Sequence, residues 1–535
     1  MRPLLLALLL TAAPAAAQNG HAGHAGHAGV DGRVGTVAFP NSASSEAQAP
    51  FLQGIALLHS FEYEDAADAF RAAREADPDF ALAYWFEALT HHHGLWRQQD
   101  ADAAREVLAE LGATPAERLA RTPEHERPWG EAVETLFVDE GTEEGIARAF
   151  AEAMRAFAAA RPADPEVAAV ASVAIQGDAY LRPPDEHDAL LDEAASLAQR
   201  VYDANPDHPG AAHYLIHAFD TPMRAGRGVE AARAYAAIAP AAQHALHMPS
   251  HIFFQLGLWD DAVASNEAAW AASRNWVRRR GADASEHDFH SLTWLQYVYL
   301  QQGRLREALA LVDTARTILA ASAEGRTQPI AALGYQYATH TGQWDTYPRD
   351  AEPTSPSTDA WWYGLVAFRM ASAEALAGDT STAPARAVRV RAEGMDPGND
   401  REGEVTRALY LEALAARAAG ADDRAIDQLR QAAERSWRVA PSGPPGATPP
   451  AEMLGDALLA AGRPGEALEA YEGELARRHG RASALLGVAR ARRAMGDGAS
   501  AVSAYRQLLA NWHRADADHP DLEEVRRNAN SAVDR

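Results

Sequence analysis

The chain carries two kinds of apolar pattern. The first is a single run, Leu4 to Leu10, which follows the positive Arg2 and ends at the small residues Ala15, Ala16 and Ala17. A charged start, a short apolar segment and a small-residue cleavage site together predict a secretory signal peptide over residues 1–17, too short to remain as a membrane anchor. The product is expected to be exported, to a periplasm or to the outside. Residues 18–48 read as a flexible tail, because the His21, His24 and His27 repeat of His-Ala-Gly is low in complexity and cannot bury a core. From Phe51 onward the second pattern begins, with apolar and small residues recurring at helical spacing. Its first unit runs from Ala47 to Asp79, with Gly54, Ala66 and Ala73, the aromatic Phe70, and a closing Asp77-Pro78. Small residues at the eighth and twentieth places let two antiparallel helices approach. An aromatic at the twenty-fourth fills the space between them, and proline ends the second helix. No alternating, strand-like run stands out, so the prediction is all-α.

The same residue types return near the C-terminus. Gly455, Gly462, Ala467 and Tyr471 fit one unit, and Gly496, Ala501 and Tyr505 fit the next. Between them Asn205-Pro206 closes a unit, and turn glycines recur less regularly at Gly257, Gly303, Gly342, Gly378 and Gly420. With a period of about 34 residues, this pattern resembles the tetratricopeptide repeat (TPR) superfamily over most of the chain. A narrower resemblance, to exported bacterial TPR proteins of uncharacterised function, rests on FEYEDAADAFRAAREADPDFALAYW, HPGAAHYLIHAFD and HMPSHIF. The resemblance implies a right-handed helical-hairpin solenoid whose first helices line a concave groove, and it implies binding rather than a reaction. The expected organisation is a TPR-like solenoid over 49–440 with a His-lined groove, a pair of regular TPR units over 441–515, and a tail over 516–535.

Set on that register, many of the 21 histidines fall at groove places. His213 and His217 take places five and nine of one unit. His244, His247 and His251 take two, five and nine of the next. His290 takes place two of the unit after, His92 and His93 take twelve and thirteen of the second unit, and His340 takes thirteen of a later one. The i, i+4 spacing of His213 and His217 puts both imidazoles on one helical face, and Asp220 follows where it can orient a ring or act as a ligand. Imidazoles converging from neighbouring helices suit Zn or Cu, and Met248 adds a soft donor that favours Cu(I). The expected metal set is therefore His213, His217, His244, His247, His251 and Asp220, with His92, His93, Trp85, His290, Tyr297 and His340 as groove residues. Pro249 bears on this, since proline belongs in the first turn of a helix. A helix starting there would separate His247 from His251.

Charge and missing motifs narrow the function. The formal charge is −25, and every basic residue apart from histidine is arginine. Such a surface disfavours nucleic acid and anionic lipid. With no cysteine there is neither a disulfide framework nor a thiol nucleophile. No phosphate-binding glycine loop, G-x-S-x-G or H-E-x-x-H occurs. The leading expectation is a binding scaffold whose groove holds Cu or Zn. The alternatives are a metal-free scaffold for a peptide or protein, and a metal-dependent hydrolase using Asp220 or Glu286 as general base.

Overall fold

Small residues facing aromatic ones decide how the helices pair. A Cβ placed on Gly54 would stand 2.6 Å from the Phe70 ring, and one on Gly455 would stand 2.5 Å from Tyr471. In each hairpin the first helix can close on the second only because that position lacks a side chain. The structure, a computed structural model, describes residues 32–138, 140–182, 184–323, 325–351, 360–378, 401–438 and 443–531. These form an all-α, TPR-type helical-hairpin solenoid, in which helices pack chiefly on their chain neighbours. The one β ladder among the described residues is short and antiparallel, pairing His92 with Gln99 and His93 with Gln98. The regular C-terminal hairpins are Pro450–Ala460 with Pro464–Leu475, and Ala482–Ala494 with Gly498–Asn511. No helix of the described residues is long and apolar enough to cross a membrane.

Both predicted tails are shorter than expected. Residues from Val34 onward run as an extended strap, with Val34 and Phe39 buried, and the first helix starts at Ser45. Phe39 lies edge-on to Phe51 and Phe86, so an aromatic cluster holds the strap where composition suggested a linker. At the other end Leu522–Ala529 is a helix whose Leu522 and Val525 are buried, and it caps the last hairpin. The signal peptide, the tail histidines His21, His24 and His27, and the side chains of Trp361, Trp362 and Tyr363 lie outside the described residues.

Distant segments contact the middle of the chain. The strap is bonded to the middle of the chain through Thr36 N–H to Asp207 O at 2.9 Å and Ala241 N–H to Arg33 O at 3.1 Å. Asp65 of helix Tyr63–Ala76 accepts from Arg279 and Arg280, each at 2.8 Å, at the far end of helix Trp259–Arg280. The C-terminal units return to the same region. His479 donates to Gln255 O at 2.7 Å, Trp259 to Gly480 O at 3.2 Å, and Asp516 N–H to Gly303 O at 3.0 Å. Residues His59–Glu62, the corner of the first hairpin, meet the histidine-bearing helices through His213 Nδ1–H to His59 O at 2.7 Å and His244 N–H to Glu62 Oε1 at 2.8 Å.

Candidate metal centre

The histidines are placed by ordinary helix mechanics. Helix Pro209–Phe219 starts with proline at its first position, where the missing N–H costs no bond, and points His213 and His217 from one face. The next segment is Gln243–His247 followed by Pro249–Leu256. Met248 between them keeps right-handed helical angles (φ −54°, ψ −35°), so the helical path runs through Pro249. His247 and His251 thus keep their i, i+4 relation, and their Nε2 atoms stand 3.2 Å apart. His290 is the second residue of helix Phe289–Gln301.

Six rings gather into two groups. In one, His213, His217 and His244 bring a ligand atom each to within 4.8 Å of the others, and in the second His247, His251 and His290 do the same. The ring centroids of the first group are separated by 4.8, 5.0 and 6.5 Å. Those of the second are separated by 4.8, 5.0 and 6.5 Å.

Hydrogen bonds settle which nitrogen carries the proton. His213 Nδ1–H donates to the backbone oxygen of His59 at 2.7 Å, which leaves the Nε2 lone pair facing the group. Asn266 donates its Nδ2–H to Ala262 O at 2.8 Å, so its Oδ1 must accept, and it accepts from His247 Nδ1–H at 2.7 Å. Asp220 Oδ2 accepts from His251 Nδ1–H at 2.7 Å, while Gln255 donates to Oδ1 at 2.9 Å. With both rings neutral, the Nε2 atoms of His247 and His251 meet lone pair to lone pair at 3.2 Å. Two such lone pairs repel unless a cation lies between them. Two nitrogens on one tetrahedral Zn or Cu, each at about 2.0–2.1 Å, stand about 3.3 Å apart.

The first group shows the same deficit. The Nε2 atoms of His213, His217 and His244 are buried and have no hydrogen-bond partner. Burial pushes His213 down to about 3 and His217 and His244 well below the ordinary imidazole value. Burial, then the neighbouring His290 and His251, lowers His247 as well, and burial takes His290 to about 4. Neutral rings with lone pairs turned inward are the form that binds metal.

Several expected residues lie elsewhere. Trp85 is fully buried in core and donates to Thr122 Oγ1 at 3.2 Å, so it lines no groove. Tyr297 is buried and its hydroxyl accepts from Arg481 at 2.9 Å, beside the buried Arg481–Glu452 ion pair. His340 lies near the same guanidinium, and burial followed by the Arg481 charge lowers it to about 3. His92 and His93 sit on the short ladder, not on a helix, because helix Ala81–Leu89 has already ended. His93 stacks on Tyr63 with centroids 3.7 Å apart. Met248 is buried in the apolar core. Asp220 orients His251, and Glu286 is exposed on a short turn. His290, expected as a groove residue, completes the second group.

A third group escaped the sequence reading. His59, His208 and Glu166 are fully buried together. Glu166 accepts from His59 Nε2–H at 2.9 Å and from His208 Nε2–H at 3.1 Å. The Tyr214 hydroxyl donates to His59 Nδ1 at 2.8 Å, and Ala211 N–H donates to His208 Nδ1 at 3.1 Å. Burial alone would raise the Glu166 carboxyl, but the bonds from His208 and His59 outweigh it and hold the group at about 2. Every ring nitrogen here has a partner. Phe61 was missed too. It holds φ 57°, a strained angle for a bulky residue, and its ring lies 4.4 Å from His213 and 5.4 Å from His244. On its other side is an apolar cavity of about 120 Å³, also lined by Tyr63, His92, Leu95, Phe150 and Tyr214.

No family model and no curated protein matches the chain. Among solved structures it is similar to the APC/C hetero-tetramer Cut9-Hcn1, at 13% identity over 90% of this chain and 96% of that one, with a TM-score of 0.31. It is also similar to the human IFIT1 dimer with m7Gppp-AAAA, at 11% identity over 89% and 92%, with a TM-score of 0.36. Likeness at this level adds nothing to the architecture already described.

Proposed function

We propose that the protein is an exported helical-hairpin scaffold that binds a transition metal, copper or zinc, through the histidines from His213 to His290. The carrying observation is the 3.2 Å approach of His247 and His251 Nε2, whose Nδ1–H groups are committed to Asn266 and Asp220. A shared proton would make one ring a cation; burial opposes that charge at His247, and the Asp220 carboxylate supports it only at His251. A metal ion removes the repulsion and uses both lone pairs. Burial favours an ion over a peptide at His213 and His247, which are almost fully buried, and Phe61 at the corner of the first hairpin lies against His213 and His244.

Calorimetric titration of Zn(II) and Cu(II) into the full chain tests this, with His21, His24 and His27 replaced by alanine so that the tail cannot contribute. Tight binding is expected, and the His217→Ala/His251→Ala double variant is expected to lose it. Binding that is absent, or that ignores the double variant, would leave the metal-free scaffold as the reading.

A further inference from the structure

The two histidine groups are one motif used twice. His213 and His217 stand at places five and nine of their unit, and His244 at place two of the next. His247 and His251 stand at five and nine of that next unit, and His290 at place two of the unit after it. Advancing the first group by one unit of the solenoid gives the second, and the ring triangles agree closely: places five and nine are 4.8 and 5.0 Å apart in the two groups, places five and two 5.0 and 4.8 Å, and places nine and two 6.5 Å in both. The place-five ring is the apex of each triangle, and in each its Nδ1–H is anchored at 2.7 Å, on His59 O in the first and on Asn266 Oδ1 in the second. Three imidazoles, with an outer hydrogen bond fixing His213 in the first group and His247 and His251 in the second, make a complete set of protein ligands for one Zn or Cu, with a further coordination position left over. The groups also touch. His217 lies 6.2 Å from His251, and His244 lies 6.2 Å from His247, closer than the widest pair inside either group.

We propose that the centre holds two metal ions, one in each triad, so that consecutive units of the solenoid build a binuclear site. This rests on the metal-binding reading above and goes beyond it in stoichiometry and arrangement. Donors that are all imidazole place the pair with copper or zinc rather than with calcium, magnesium or manganese. The leftover coordination positions of two neighbouring ions suit a small bridging anion such as hydroxide.

The test uses the full chain with the three tail histidines replaced by alanine, stripped with chelator and dialysed against Cu(II), with copper counted by elemental analysis. Two ions per chain are expected. His217→Gln and His290→Gln, near-isosteric changes at one ring of each triad, should each leave one ion. The parent should also show, in its Cu(II) electron paramagnetic resonance spectrum, dipolar broadening or, where an anion bridges the ions, loss of intensity through spin coupling, and neither single variant should show this. One ion in the parent overturns the binuclear site while leaving metal binding intact. Loss of both ions in either folded variant, or a parent spectrum equal to the sum of the two variants, overturns it as well. No copper in the parent overturns both readings. Because the parent count needs no variant, a misfolded variant does not remove the test.

Discussion

Two sets of buried histidines lie side by side in this molecule and have opposite chemistry. In the first, His59 and His208 hold Glu166 between them, and Tyr214 and Ala211 N–H satisfy the remaining nitrogens. In the second, the triads His213/His217/His244 and His247/His251/His290 leave lone pairs facing each other or facing nothing. Burial is severe in both. What differs is the presence of a carboxylate, which gives the first set an acceptor for its N–H groups and makes it a closed structural network. In the triads the acceptor sits behind the ring, on Nδ1, for His251 (a carboxylate), His247 (an amide) and His213 (a backbone carbonyl), and turns the other nitrogen inward. Placement of the acceptor therefore separates a staple from a ligand set. The two are linked, because the His59 ring is in the staple while its backbone oxygen orients His213.

Breaking the staple should have the largest effect. Glu166→Ala leaves two buried imidazoles without their acceptor, and urea unfolding of the metal-free protein is expected to show a loss of about 3–5 kcal/mol. A loss below about 1 kcal/mol would mean that water or another group satisfies those rings, and the contrast would fail. Asp220→Asn acts on the other set. Its amide retains an oxygen but not the charge behind His251, and copper affinity should fall about 10–100-fold with little change in metal-free stability. Unchanged affinity would show that His251 needs no orienting group. Gly210→Ala probes the join between the sets, since its Cβ would stand 2.6 Å from His59 Nδ1. Melting curves should show a net cost of about 1 kcal/mol, overpacking being partly offset by alanine's better helix propensity.

Acid titration should separate the sets by pH, with a smaller change at each step. His213 is held at about 3 when folded against 6.5 in the open chain, so the unfolded chain takes up protons first. Stability is full above about pH 6.5 and declines below it. Glu166 is held at about 2 against 4.5, so the staple is intact above about pH 4.5 and is lost as pH falls from there toward 2. Metal-free protein should thus lose stability in two stages, and Glu166→Gln should remove the lower one. A single stage below pH 4.5 would show that the triads are not kept neutral by burial.

The repeat architecture was legible along the chain for a simple reason. A TPR-type hairpin states its packing locally, as a small residue facing an aromatic sixteen places on, and Gly54–Phe70 and Gly455–Tyr471 pair as that pattern required. The turn glycines from Gly257 to Gly496 all take positive φ. Unit register also carried His213, His217, His244, His247, His251 and His290 to one place, because helical periodicity and repeat stacking are the only geometry involved. The errors came where contact is made across the chain. His92 and His93 were put on a helix that stops at Leu89, and Trp85 and Tyr297 were put in a groove when both are core. His208 stands in plain view at the start of HPGAAHYLIHAFD, but Glu166 lies 42 residues before it, and His59 lies 107 residues before Glu166. No spacing rule reaches that far.

Helix, hairpin and the common face of six histidines were thus determined by the order of residues, since each depends on neighbours within a unit or between adjacent units. Tertiary structure alone decided that the corner of the first hairpin lies against His213 and His244, that Asp220 and Asn266 stand behind their rings instead of among the ligands, and that Glu166 satisfies one histidine set while the other keeps its lone pairs. Those outcomes depend on which acceptor reaches which nitrogen at about 3 Å, and hydrogen bonding at that range is set by where distant segments come to rest.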